Sequence, residues 1–259
     1  MKNIEVKVLN PREILEAEKM MVCAARLTQR GHNIKSMDDF LDLYNKDYSD
    51  GTVSAMVKLP HPTIQKFAVI NVAIIGASRR FLAQITRHQN EVKFMSASLQ
   101  YSDYTGEADF VVPYNLLGNE IAVDQYLEQC RTTMSEYASI VQQGYDNDSA
   151  GYLAPQGLRN ILIISATPYQ WKHMISQRVC RRNTDETRYV LLRVWQQLFR
   201  INPTFFSVSS TGPFCMKGRC KEGRMSCGDP IAKYETPDSI IKHDYPLCCR
   251  RVSDEDKAD

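Results

Sequence analysis

Apolar residues recur along the chain with a helical period in some stretches and as unbroken runs in others. Over residues 11 to 29, Ile14, Leu15, Met21, Val22 and Ala25 form an apolar stripe behind Pro11, which suits a first helical position, so a helix is predicted there. A shorter helix is expected over Asp38 to Tyr44. Phe67 to Ile75 is rich in β-branched and apolar residues on both faces and ends at Gly76, the pattern of a buried strand. Ser78 is then expected to cap a helix running to about Thr86, with Phe81, Leu82 and Ile85 turned inward. A long helix is predicted over about Asn119 to Gln143, carrying Ile121, Tyr126, Leu127, Met134 and Tyr137. Ile161 to Ile164 is a second buried-strand candidate, and two helices follow it, roughly Tyr169 to Arg181 and Asp185 to Arg200. Past Pro203 the chain is rich in Gly, Cys and Pro and is expected to be mostly irregular. Helices and strands mix without regular βαβ alternation, so the class is α+β: a single domain with a mixed or antiparallel sheet flanked by helices.

Composition adds limits. With 259 residues and 43% hydrophobic content the chain can bury a sizeable core. A formal charge of +2 gives no general attraction for a polyanion, so no nucleic-acid partner is expected. The amino terminus is charged almost at once and lacks a signal-peptide apolar core. The longest apolar run, Phe67 to Gly76, is broken by Asn71 and is too short to cross a bilayer. A cytoplasmic protein without a membrane partner is the expectation. Of eight cysteines, five fall in the last 45 residues, and without a secretory signal they read as reduced thiols or metal ligands. The chain is accordingly divided into a main stretch, 1–210, and a Cys-rich tail, 211–259.

Four clusters carry candidate chemistry. In Gln84-Ile-Thr-Arg87-His88-Gln89, helical spacing would put Gln84, Arg87 and His88 on one face, with Ser78-Arg79 at the helix start. Guanidinium groups bind phosphate bidentately, although a solvated basic helix has the same pattern. Ser96-Ala-Ser98-Leu-Gln100-Tyr101-Ser102 offers hydroxyls and amides suited to a pyrimidine edge, or to an ordinary polar strand. In the run Arg178 to Arg188, Thr184 reads as a helix cap with Asp185 and Glu186 in the first turn. Arg178 instead ends an apolar helix and is expected to face a cleft. No metal site is expected, the one set with zinc chemistry being Cys215, Cys220 and Cys227, whose spacing matches no two-residue knuckle. There is no G-x-G-x-x-G after a strand, no phosphate-binding G-x-x-x-x-G-K-[ST] and no G-x-S-x-G elbow, so any phosphate-bearing ligand has to be held by side chains.

These fragments together resemble the flavin-dependent thymidylate synthases. His61-Pro-Thr63, Gly76-Ala-Ser78-Arg79 and Gln84-Ile-Thr-Arg87-His88-Gln89 follow the family's H-x-S-x-x-E-H, G-x-S-R and Q-x-x-R-H-R without a gap. Ala24-Ala-Arg26 is similar to its A-A-R, and Ser98-Leu-Gln100-Tyr101 to its Ser before G-R-Y, with one residue inserted. Arg178-Val-Cys180-Arg-Arg-Asn183-Thr184-Asp-Glu186-Thr-Arg188 resembles R-x-C-x-x-A-Q-x-E-I-R, and GPFCMKGRCKEGRMSCG the ending of some bacterial members. The resemblance covers most of residues 20 to 230. It implies a homotetramer of α+β subunits with FAD at subunit junctions, and conversion of dUMP to dTMP with methylenetetrahydrofolate as carbon donor and NADPH as reductant. Carried over by position, it implies nucleotide contacts at Gln84, Arg87, Ser98, Gln100, Arg159 and Arg178. Arg178 and Ser98 are the catalytic candidates, Arg178 as the group that polarises the pyrimidine. FAD contacts are implied at His61, Thr63, Arg87, His88, Gln89 and His173.

Departures from the pattern fall on ligand positions. Gln89 replaces the third member of R-H-R, Gln100 an Arg, Lys66-Phe67 a Glu-His, and Asn183-Thr184 an Ala-Gln. Ser96 stands where an acid is expected, with Glu91 as its possible substitute. These changes keep open a related methylase or hydroxymethylase acting on another uracil nucleotide, and a catalytically silent relative. A zinc-dependent nucleic-acid binder built on the tail is disfavoured by the balanced charge.

Overall fold

A computed structural model describes residues 1, 3–218, 220–232 and 235–249. The elements run β1 (Glu5–Val8), α1 (Arg12–Arg30), α2 (Met37–Asn45), α3 (Asp50–Val57), β2 (Ile70–Ser78), α4 (Arg79–Ile85), β3 (Val92–Ser96), α5 (Glu120–Gln142) and α6 (Asn147–Gly151). They continue with β4 (Arg159–Ala166), α7 (Pro168–Arg178), α8 (Asp185–Ile201), α9 (Val208–Thr211), α10 (Pro237–Asp244) and α11 (Pro246–Cys249). The strands form one sheet in the order β1-β2-β4-β3, antiparallel throughout. The α+β expectation holds, with the sheet antiparallel.

Helix termini follow local chemistry. Ser36 and Asp39 form a reciprocal capping box at α2, and Asn119 caps α5 through the Ala122 N–H. Thr167 caps α7 with Pro168 at its first position. Thr184 departs from expectation: its hydroxyl donates to the Thr187 hydroxyl at 2.8 Å and caps no backbone N–H.

The β2 strand differs from its prediction at both ends. It begins at Ile70, because Phe67 and Val69 are exposed, and it continues through Gly76 to Ser78. The register against β4 shifts between Ile75 and Ala77, so Gly76 is a bulge rather than a terminator. Its φ is +78°, and a Cβ there would stand 3.0 Å from the Asn3 carbonyl oxygen and 3.4 Å from Arg159 Nη1. Only glycine fits both demands.

The sheet is also not buried on both faces. One face packs under α8, whose Tyr189, Val190, Leu191, Leu192, Val194, Trp195 and Leu198 are all buried. On the other, Ile75 pairs with Ile161 and Ile163 with Met95, and their exposures are 48%, 55%, 43% and 73%. The main core takes in Ile70, Val72, Ile74, Leu162 and Ile164 and extends into the tail at Met216, Ile231, Ile240, Ile241 and Tyr245. Tail helix α10 is tied to α8 by Asp244, which accepts from both Arg188 and Arg181. A second cluster under α5 and α6 holds Phe110, Cys130, Met134, Tyr137, Ala150 and Leu158. Among the described residues no helix is long and apolar enough to cross a membrane.

Candidate active site

Arg178 ends α7 and is anchored on three sides. Its Nε donates to His88 Nε2 at 2.8 Å, Nη2 to the Gln84 carbonyl at 3.0 Å and Nη1 to Asn183 Oδ1 at 3.3 Å. A guanidinium carries five N–H donors. Three have acceptors, leaving one on each terminal nitrogen, a forked pair suited to a carbonyl or phosphate. Burial and the neighbouring Arg87 push the Arg178 pKa down, so Arg87 faces the same space.

His88 is the buried polar member of the Gln84–Gln89 segment, while Arg87 and Gln89 are exposed. The helix expected to align Gln84, Arg87 and His88 stops at Ile85, and His88 keeps only one turn-type bond, from its N–H to the Ile85 carbonyl. Accepting through Nε2 requires a neutral ring with its proton on Nδ1. Burial, then Arg178, then His173 bring the His88 pKa down to about 4, in accord with that neutral form. His173 lies edge-on to His88, ring centroids 6.2 Å apart, and shares a 3.0 Å hydrogen bond with Gln177.

Sequence reading missed the support beneath this group. Glu186, expected only to favour a helix start, accepts the Ser78 N–H at 2.7 Å and the Ser78 hydroxyl at 2.5 Å. Ser78 Oγ in turn accepts the Phe81 N–H at 3.1 Å, so the carboxylate fixes the start of α4. Burial raises the Glu186 pKa against the opposing effect of these two bonds. The 108-residue separation of the partners left no sequence signal.

The face of α7 carrying Tyr169, Lys172, His173 and Ser176 looks into a cavity of about 570 Å³ closed by Pro60, Pro62 and Lys217 among others. His61, at the N-cap of the 3₁₀ turn Pro62–Gln65, and Thr63 within it are exposed beside Pro62 of that wall, while Ile64 and Gln65 of the turn are buried. Lys172 is buried; its ammonium donates to Gln65 Oε1 at 2.7 Å and sits 4.0 Å over the Phe205 ring. Burial lowers its pKa, as does the charge of Lys217, itself brought down to about 8. Among the described residues neither lysine has a carboxylate partner.

The remaining candidates stand elsewhere. Arg159, at the start of β4, belongs to the outward row with Ile161 and Ile163 and pairs with Asp109 at 2.9 Å. It borders an open cavity of about 1120 Å³, and its Nε is buried without a partner. Ser98 and Gln100 follow β3, the Ser98 Oγ accepting the Gln100 N–H at 3.1 Å. Between them Leu99 packs on the second cluster. Among the described residues no hydrogen bond or ion pair joins these three to the Arg178 group. Glu91 does not stand in for an acid at Ser96: it pairs with Lys66 at 2.6 Å and accepts from Thr167.

Comparison with known proteins bears on the family and the fold. The family model described as "Thymidylate synthase complementing protein" matches residues 12–204. A flavin-dependent thymidylate synthase of Geobacter sulfurreducens is 24% identical over 216 residues, 82% of this chain and 90% of that protein. One from Thermococcus onnurineus is 26% identical over 64% of this chain and 69% of the relative. Among solved structures, a UMP/dUMP methylase from Streptomyces cacaoi bound with 5-Br dUMP superposes with a TM-score of 0.66 at 14% identity, covering 81% of this chain and 96% of that one. Thymidylate synthase X from Helicobacter pylori, with FAD and dUMP, gives 0.59 at 14% identity, covering 80% and 99%.

Proposed function

Given that the chain belongs to the thymidylate synthase complementing protein family, we propose that it is a flavin-dependent enzyme that alkylates C5 of a uracil nucleotide, converting dUMP to dTMP. The carbon donor is methylenetetrahydrofolate and NADPH is the reductant, working through FAD. The observation that carries this reading is the Arg178 fork: a cation held by His88, Gln84 and Asn183 with two N–H groups left over. A pyrimidine gaining a bond at C5 places negative charge on its ring carbonyls, and a preset donor pair there lowers the barrier without reorganising. Neutral His88 keeps the Nε edge occupied, so the fork alone faces the ligand.

The residues that would hold the flavin are Tyr169 and His173 on the cavity wall, with His61, Thr63, Arg87, His88 and Gln89 as the further contacts the resemblance implies. The fit rests on Lys172 and Lys217, two ammonium groups without a carboxylate partner among the described residues, a donor set suited to a dinucleotide's phosphates. When bound, the flavin supplies the redox step; the protein's residues bind, orient and polarise.

Ser98, Gln100 and Arg159 complete the nucleotide contacts from another copy of the chain. The Ile75, Ile161, Ile163 and Met95 face of the sheet is the surface such a copy would cover, and Arg159 lies in the same row. We therefore read the protein as a cytoplasmic homotetramer whose site is composite, with 1–210 as the catalytic stretch and 211–259 as a Cys-rich closure. A second reading, alkylation of UMP, is favoured by Gln100 standing where the family has Arg. Incubating purified protein with FAD, NADPH, methylenetetrahydrofolate and either dUMP or UMP, followed by product mass, separates the two. A protein that neither retains nor takes up flavin overturns both.

A further inference from the structure

Four cysteines far apart in sequence meet at one small, largely enclosed cavity of about 30 Å³, the size of a single bound ion or water. Its walls include Cys180, from the turn after Arg178, and Cys215, Cys220 and Cys227 from the tail. All four are free thiols. Without a cation each added thiolate raises the cost of the next; a divalent ion reverses that and deprotonates its ligands outright. Among the described residues no three such side chains already stand in a metal-holding arrangement. Zinc binding would therefore have to draw the four side chains together around the ion.

We propose that Cys180, Cys215, Cys220 and Cys227 form a tetrathiolate zinc site. Zinc favours four tetrahedral ligands and closed sulfur sites when its role is structural. Binding releases four thiol protons and moves no electron, and the resulting −2 centre shares the cavity wall with Arg181 and Lys221 and with the carboxylates of Glu222 and Asp229, Arg181 being paired with Asp229 and Asp244. The ion cross-links the tail to the turn carrying Asn183, whose Oδ1 accepts from Arg178. Sequence spacing alone brought out three of the ligands; the fourth belongs to another segment. The site is independent of whether the chain binds flavin.

The test is metal analysis of the full chain purified in reducing buffer after growth with zinc. About one zinc per chain is expected, released when the thiols are blocked. Replacement by cobalt is expected to give the charge-transfer and d–d bands of a tetrahedral tetrathiolate. Cys180→Ser is expected to weaken zinc binding more than about tenfold, while Cys23→Ser and Cys130→Ser, buried elsewhere, keep full zinc. If Cys180→Ser does not fold by circular dichroism, Cys227→Ser on the exposed rim is the substitute. Reduced protein that takes up neither metal overturns the site, as do disulfides among these cysteines in a non-reducing peptide map. Zinc kept by Cys180→Ser but lost from Cys220→Ser overturns the cross-link.

Discussion

Arg178 and Arg159 are both expected to meet the nucleotide, yet the fold treats them oppositely. Arg178 rises from the main core, with three of its donors engaged and its supports packed beneath it. Arg159 sits in the outward row of β4, above the smaller second cluster, with an exposed Asp109 as its ion-pair partner and a buried Nε that has none. One half of the proposed site is organised before any ligand arrives; the other is left unfinished at a surface. A preset donor acts in the transition state, whereas a surface arginine mainly contributes binding. The contrast therefore divides the proposed roles: rate on the Arg178 side, affinity and assembly on the Arg159 side.

The largest expected effect is at Arg178. Arg178→Ala should lower kcat/KM about 10²–10³-fold, mostly in kcat, with an unchanged circular dichroism spectrum. A loss confined to KM would dissolve the division of roles. Arg159→Ala should cost about 10–100-fold, mostly in KM, because it removes charged hydrogen bonds to a bound anion. Mixing the two variants by joint refolding, assayed with substrate well below KM where both are strongly impaired, gives the sharpest test of a composite site. Randomly assembled oligomers should recover about a quarter of wild-type activity, since some junctions then receive both intact halves. No recovery from well-folded mixtures would place both arginines in one subunit's site.

A smaller effect is expected at Gly76. An alanine there combines a left-handed φ with crowding of the Asn3 carbonyl and of Arg159. Gly76→Ala should cost about 1 kcal/mol or more in urea unfolding and raise KM by displacing Arg159. Equal stability and unchanged KM would show that the bulge does not position that side chain.

How much of this was legible in the sequence depended on how far apart the interacting residues lie. The apolar periodicity of α1 and α8 gave their bounds within a residue or two, because burial of one stripe fixes a helix locally. Strand β1 was missed; its alternation spans only four residues, and the partner that makes it a strand is β2, some 65 residues on. The start of β2 was misplaced because Phe67 and Val69 are apolar yet exposed, and composition cannot tell which. In the site, residue types and order pointed to Arg178 and His88, but not to the bond between them. The Glu186–Ser78 contact, the Gln65–Lys172 contact and the meeting of Cys180 with the tail all depend on chain crossings that no local pattern records.

The last expected effect appears only on acidification and singles out the Arg178 side. In the fold His88 titrates at about 4, against 6.5 for an ordinary histidine. Between these values the unfolded chain binds a proton that the folded chain refuses, so stability falls as pH drops through this window and is fully present above it. His173, also held down by burial and by Lys217, acts in the same direction. Glu186, held up by burial, acts in the opposite one. The measurement is therefore a difference: urea midpoints from pH 7 to pH 4 for wild type and for His88→Asn, whose amide oxygen can accept from Arg178 without titrating. The wild type should lose stability relative to the variant as pH falls. Parallel curves would mean that His88 is not held neutral against Arg178, and that the arginine's orientation is set by Gln84 and Asn183 alone.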